Sequence, residues 1–467
     1  MKQYQLFIDG QWVDSHSGEN QAVINPATEE EIAQIQMGNQ EDVNDAVAAA
    51  KAAFPEWTAL DPKERAQYVQ KIADGIAARA DELLDAVVTE LGAPRSFAEY
   101  MQIKRTPEEM EASIAALDDV EFTEEIDNAK IVKEGVGVVA AINPWNFPLN
   151  QIQRKMTSAL LAGNTIVVKP ASETPITAMI LADIVQEADL PAGVFNLITG
   201  SGSGLGAQLA GHPDVGLISF TGSTEVGKGL YDQAKGTVKK LVLELGGKSA
   251  MIYLDGGDLD LAVESSIDTI LNNSGQVCTA LTRLLVPADK LAEVEAKAID
   301  YIKQVQVGDP NDPETRMGPL VSKKQEATVL EYIEKGKAEG AKVLIGGEKL
   351  DRKGYFVAPT VFTNVSNDMT IAQEEIFGPV LSIITYDSVE EAIELANDTT
   401  YGLSGAVVGP DDQAEEVALQ LRTGNIIING ASQPHGAPFG GYKESGYGHE
   451  RGKYGIEDYL DMKSIYH

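Results

Sequence analysis

Between residues 41 and 92 apolar positions return at helical spacing: Ala46, Val47 and Ala50, then, beyond Pro62, Tyr68, Ile72, Ile76, Leu83, Leu84 and Val87. Intervals of three and four residues gather these side chains on one face, so helices are expected, and Gly92 with Pro94 supplies the stop. From Ile131 the pattern changes. Short β-rich runs, VGVVAAI, TIVVKP, VFNLITG, VGLISFTG and KKLVLELGG, alternate with helical ones such as QIQRKMTSALLAG and TAMILADIVQEA. Runs this continuously apolar are buried on both faces, and strands joined through helices run parallel. The expectation is an α/β fold with a doubly wound, Rossmann-type sheet of five strands.

After Leu245 a second, less regular α/β series begins. A helix near 258–272 leads into strand TRLLVP, helix LAEVEAKAIDYIKQV, strands FVAPTVF and GPVLSIITY, helix VEEAIELAN and strand GNIIING. The closing stretch DYLDMKSIYH has β character and suits an edge strand added to a neighbour. A chain of 467 residues also exceeds one core of ordinary size, which agrees with two or three domains.

The formal net charge of −34 repels phosphate backbones and anionic lipid surfaces, so neither nucleic acid nor membrane is expected as a partner. An anion held by such a chain needs local positive charge. The single cysteine, Cys278, cannot form an internal disulfide, the N-terminal MKQYQLFIDGQWVDS lacks the apolar core of a signal peptide, and no apolar run reaches the roughly 20 residues of a membrane span. A cytoplasmic location is expected.

In a doubly wound sheet, ligands bind beyond the C-terminal strand ends, where free N–H groups attract phosphate. GSGSGLGA carries a G-x-G-x-x-A pattern from Gly202 to Ala207, which reads equally as a flexible loop or a phosphate cradle. FTGSTEVG offers Gly222 for close approach, Ser223 as a hydrogen-bonding hydroxyl and Gly227 for tight helix packing; the two loops together favour a nucleotide. VVKPASETP puts Lys169 and Ser172 where such sheets usually carry an acid on the ribose, with Glu173 one position later. A cation and a hydroxyl there suit a 2′-phosphate, or else are a solvated lysine and a helix cap.

Glu244 ends an apolar strand just before two glycines, as a satisfied structural carboxylate or as a general base of raised pKa. Asn146, in INPWNFP, either stabilises a turn or donates to a developing oxyanion. Cys278 follows a helix within NNSGQVCTALTR, a setting of small and polar neighbours. It reads as a small buried hydrophobe or as a nucleophile activated by backbone N–H groups. The five scattered histidines show no metal-ligand spacing, and no metal is expected.

PWNFP, KPASETP, FTGSTEVG, LELGGK, GQVC, EEIFGPV and PFGGYKESG stand in the order and spacing of one family: the chain resembles the aldehyde dehydrogenase superfamily over nearly its whole length. The resemblance implies a cofactor-binding domain over residues 1–122 and 141–245, a catalytic domain over 246–440, and a bridging, oligomerising β element over 123–140 and 441–467. Cys278 would be the nucleophile, Glu244 the general base, and Asn146 with the Cys278 N–H the oxyanion hole. Lys169 is placed with both the catalytic and the cofactor groups, and Trp145, Ser172, Gly202, Gly222, Ser223, Glu375 and Phe377 with the cofactor. The implied reaction oxidises an aldehyde to an acid through a Cys278 thioester, with NADP favoured over NAD because Ser172 replaces an acid. Glu244 favours water over coenzyme A as acyl acceptor. A non-catalytic nucleotide-binding protein is the alternative of a different class; it has no use for Cys278, Glu244 and Asn146 together. Relatives acting on succinic semialdehyde often carry Arg six residues before the cysteine, where this chain has Asn272. Although Arg154 and Arg283 remain as cations, an uncharged aldehyde is expected. A homodimer or homotetramer is also implied.

Overall fold

The five apolar runs form the core of an eight-stranded sheet in a computed structural model that describes residues 2–467. They lie parallel in the order Lys240–Glu244, Val215–Thr221, Val138–Ile142, Thr165–Lys169 and Phe195–Leu197. Side chains alternate between two cores: Val139 and Ala141 face one, while Val138, Ala140 and Ile142 face the other. Register then fixes the working edge. Glu244 pairs with Thr221, Phe220 with Ile142, and Ile142 with Lys169, so the C-terminal ends of four neighbouring strands form one rim.

The helical stretch resolves into Gln40–Ala59, Pro62–Ala78 and Ala80–Leu91. Asn39 and Asp42 form a capping box at the first, and Gly92, at φ +79°, ends the third. Leu6–Ile8 and Gln11–Val13 extend the sheet antiparallel at one edge, and Glu19–Ile24 and Glu31–Met37 belong to a separate three-stranded sheet.

The second sheet has seven strands, in the order Lys342–Ile345, Thr360–Thr363, Val380–Tyr386, Arg283–Pro287, Ala250–Tyr253, Ser404–Val408 and Asn425–Ile428. Ala250–Tyr253 and Ser404–Val408, missing from the expected series, lie side by side near its centre. A second small sheet pairs Leu460–Tyr466 with Ala129–Gly135, and that with Thr123–Ile126. The span 441–467 does not all belong to it. Gly446–Tyr447 instead pairs with Leu243 and Glu244 at the edge of the large sheet, held there because Ser445 accepts the Leu245 N–H on its carbonyl and donates its hydroxyl to the Gly246 carbonyl. Among the described residues no helix is long and apolar enough to cross a membrane.

Candidate active site

The sheet order reverses between Val138–Ile142 and Val215–Thr221, and a crevice opens at such a reversal because the flanking loops diverge to opposite faces. One loop carries Trp145 and Asn146. The other carries Gly222 and Ser223, and Ser223 caps the helix Thr224–Ala234 by accepting the Val226 N–H. With Cys278, Glu375 and Phe377 these residues line a cavity of about 230 Å³. Trp145 and Phe377 meet edge to face at 5.3 Å, making one wall.

Cys278 reaches the cavity because the chain before it turns left-handed at three consecutive residues, Asn273, Ser274 and Gly275, at φ +50°, +57° and +74°. The first two are fixed by side-chain bonds: Asn273 donates to the Asn146 carbonyl at 2.9 Å, and Ser274 to the Gly318 carbonyl at 2.8 Å. Gly275 has no room for a side chain, since a Cβ there would overlap the Gly378 carbonyl. Gly275→Ala is therefore expected to lower the melting temperature by several degrees and to cost most of the activity, checked by calorimetry and turnover on one preparation.

Asn146 is buried, and its side-chain amide donates one N–H to the Gln276 carbonyl at 2.9 Å, which orients the group and leaves its second N–H for another acceptor. The thiol of Cys278 is only partly exposed to the cavity. Burial, then the carboxylates of Glu375 and Glu244, push it up to about 12, with Arg154 pulling the other way.

The two large sheets are joined by Leu245, Gly246 and Gly247, and here the reason for glycine is steric. A Cβ on Gly246 would stand 2.5 Å from a Glu375 carboxylate oxygen, and one on Gly247 would stand 2.6 Å from the Cys278 carbonyl. Glu375 accepts the Gly247 N–H at 3.0 Å, and burial raises its carboxyl to about 7. Glu244, 3% exposed, has no hydrogen-bond partner on either oxygen among the described residues. Burial, and next the charge of Glu450, hold its carboxyl well above the usual range. Lys155 sits close by, donating to Thr221 at 2.5 Å and to Glu450 at 2.7 Å. Lys155, Thr221 and Glu450 were not singled out in the sequence; the only local signal was a lysine on a helix that is buried all round.

Other expected residues lie elsewhere. Lys169 does not line the cavity of Cys278, contrary to its expected place among the catalytic groups: its buried ammonium donates to the Pro170 and Gly200 carbonyls, and burial lowers it to about 8. Ser172 donates to the same Gly200 carbonyl at 3.2 Å, and Glu173 is exposed. Gly202 is also exposed, with open space where a side chain would stand. Asn272 accepts from Arg316. Arg283 is structural, its guanidinium bonded to the Lys248, Leu395 and Ala396 carbonyls and to Asn367.

On the far side of Cys278 a second cavity, of about 90 Å³, is lined by Phe147, Val277 and Phe439 together with Arg105, Arg154 and Arg451. Of this cluster only Arg154 was singled out from the sequence, and its members are up to 346 positions apart. Arg154 forms a two-point pair with Glu109 at 2.8 and 2.9 Å, and Arg105 reaches the same carboxylate at 2.9 Å. Glu109 is consequently held far below the normal carboxyl range against its burial.

The profile of the aldehyde dehydrogenase family matches residues 12–465. A relative from Staphylococcus epidermidis, provisionally named an aldehyde dehydrogenase, is 47% identical over 464 residues, 98% of each chain. Among solved structures, a mutant aldehyde dehydrogenase C from Pseudomonas syringae in complex with NAD+ and octanal is 42% identical, with a TM-score of 0.97 over 99% of this chain and 96% of that one. Aldehyde dehydrogenase from Mycobacterium tuberculosis complexed with NAD+ is 40% identical, again at 0.97, over 100% and 98%. The chain belongs to the aldehyde dehydrogenase family, a family of oxidoreductases.

Proposed function

We propose that the protein oxidises an aldehyde to a free carboxylic acid with a nicotinamide dinucleotide as hydride acceptor. The observation that carries this reading is one cavity bearing a cysteine, an oriented amide with a spare N–H and, beside it, a buried carboxyl with both oxygens unpartnered. The larger cavity fits the cofactor. Ser223 and the N-terminus of an eleven-residue helix suit a phosphate, Trp145 and Phe377 offer flat apolar walls, and Glu375 is an acceptor for ribose hydroxyls. NAD+ bound to the Pseudomonas and Mycobacterium relatives supports the same class.

Cys278 Sγ adds to the carbonyl carbon, and its proton passes to a base of raised pKa, the role that suits Glu244. Asn146 Nδ2 donates to the oxygen as it becomes anionic. A bound oxidised nicotinamide would supply the acceptor for the aldehyde hydrogen, lost as hydride. Loss of that hydride leaves a thioester on Cys278. Glu244 then removes a proton from water, the resulting hydroxide attacks the thioester carbon, and the C–S bond breaks to return the thiolate and release the acid. Glu450 and Lys155 act on the Glu244 carboxyl by charge, Glu450 raising it and Lys155 lowering it.

The test is an aldehyde panel with both cofactors, read by absorbance of the reduced nicotinamide and by identification of the product. Free acid supports the reading. A product formed only when coenzyme A is present assigns the acylating variant of the reaction, and tight cofactor binding with no turnover assigns a binding protein.

For the cofactor, NADP is our proposal, because the third position after Lys169 is Ser172, a hydroxyl bonded to the Gly200 carbonyl, and the acid is displaced to exposed Glu173. Ser172→Glu should lower the NADP to NAD ratio of kcat/KM by about tenfold or more, since a carboxylate there repels a 2′-phosphate. The exposed strand Leu460–Tyr466, paired with Ala129–Gly135, supports assembly into a homodimer or homotetramer, measurable by sedimentation.

A further inference from the structure

We propose that the aldehyde this protein oxidises carries a terminal carboxylate, received by Arg451 in the smaller cavity beside Cys278. The proposal rests on the aldehyde-oxidising reading above and deepens it.

Three features of Arg451 point to a ligand. It is 5% exposed, yet among the described residues its Nε has no hydrogen-bond partner, and the nearest carboxylate oxygen, on Glu109, is 3.8 Å away. Burying a guanidinium without acceptors is costly, so an acceptor from outside is favoured strongly. Glu109 cannot fill the need, because its oxygens already receive Arg154, Arg105, Asn150 and Gln153. Second, the side chain is set in place: its guanidinium stacks over the Phe439 ring at 4.7 Å and lines the cavity that holds Cys278. Third, its backbone sits at φ +70°, ψ 149°, a region that glycine occupies readily and arginine does not. The fold holds an arginine in a glycine's conformation.

The surroundings agree in sign. Arg105, Arg154, Arg451 and Lys155 converge here against the carboxylates of Glu109 and Glu450, while Glu244 is shifted toward its neutral form. The acid at the rim, Glu108, is paired with His435 at 3.3 Å. The result is local positive charge within a strongly acidic chain. A planar guanidinium matches a planar carboxylate, and a cavity of about 90 Å³ restricts the chain between carboxylate and aldehyde to a few carbons. This differs from the uncharged aldehyde expected from Asn272, with Arg154 and Arg283 as the remaining cations.

Two measurements test it. With the cofactor saturating, 4-oxobutanoate and 5-oxopentanoate should exceed butanal and pentanal in kcat/KM by about tenfold or more, through KM. Arg451→Gly, which relaxes the backbone, should collapse that ratio without lowering the melting temperature. Independently of turnover, calorimetry should show succinate binding more tightly than butanoate in the unaltered protein and equally weakly in Arg451→Gly. Equal or better kinetics and binding for the uncharged series would overturn the proposal. If neither series is oxidised, the aldehyde reading fails, and the calorimetric difference still decides whether Arg451 holds a carboxylate.

Discussion

Replacing Cys278 with alanine is expected to lower aldehyde oxidation by about 10⁴-fold or more while leaving dinucleotide binding intact. The size follows from chemistry. The chain has no second thiol, so no other cysteine can take over covalent capture of the carbonyl, and without it hydride would have to leave from an aldehyde or its hydrate instead of a thiohemiacetal anion. The separation from binding follows from geometry, because the walls supplied by Trp145, Gly222, Ser223 and Phe377 come from other elements. Steady-state rates and a fluorescence titration of the reduced cofactor on one preparation check both halves. A variant that still turns over within tenfold of the parent sinks the covalent mechanism.

Glu244→Gln should produce a different defect. Thiol addition can still draw on solvent for its proton transfer, but water near a buried thioester has no base in the amide's place. Rapid mixing is then expected to show about one equivalent of reduced nicotinamide per site, followed by a steady rate lower by about 10²- to 10⁴-fold. Glu244 also gives the native protein a pH signature. Its carboxyl is raised above the usual range, so the basic form, and with it hydrolysis, is gained as pH rises through that elevated value and is not already complete near pH 5. Glu244→Gln should flatten this rising limb. A variant with no burst and an unchanged pH profile would assign the base to another group.

How far the sequence reached depended on the range of its signals. The five parallel runs were legible because each is buried on both faces and bounded by turn residues, and Gly92 marked a helix end by its left-handed conformation. Ala250–Tyr253 and Ser404–Val408 escaped because they are short, and because the second mixes Ser and Gly into its apolar positions. Their place inside a sheet comes from neighbours distant in sequence. The motif residues Asn146, Gly222, Ser223, Cys278, Glu375 and Phe377 do line one cavity, whereas Lys169 and Gly202 do not reach it. Local pattern does not reach the arginine cluster as a whole, because its meaning depends on Glu109 being saturated by Arg105 and by Asn150, Gln153 and Arg154 of a second helix.

The surroundings of the lone thiol carry one more consequence, for how the protein endures between encounters with substrate. Burial and the carboxylates of Glu375 and Glu244 raise its pKa, so the thiol keeps its proton at pH 7. Peroxides and alkylating agents attack the thiolate, so the resting form is chemically quiet despite its opening to the cavity. That restraint has particular value here: with no neighbouring cysteine to capture a sulfenic acid as a disulfide, any oxidation that does occur must be reversed by a reductant from outside the chain.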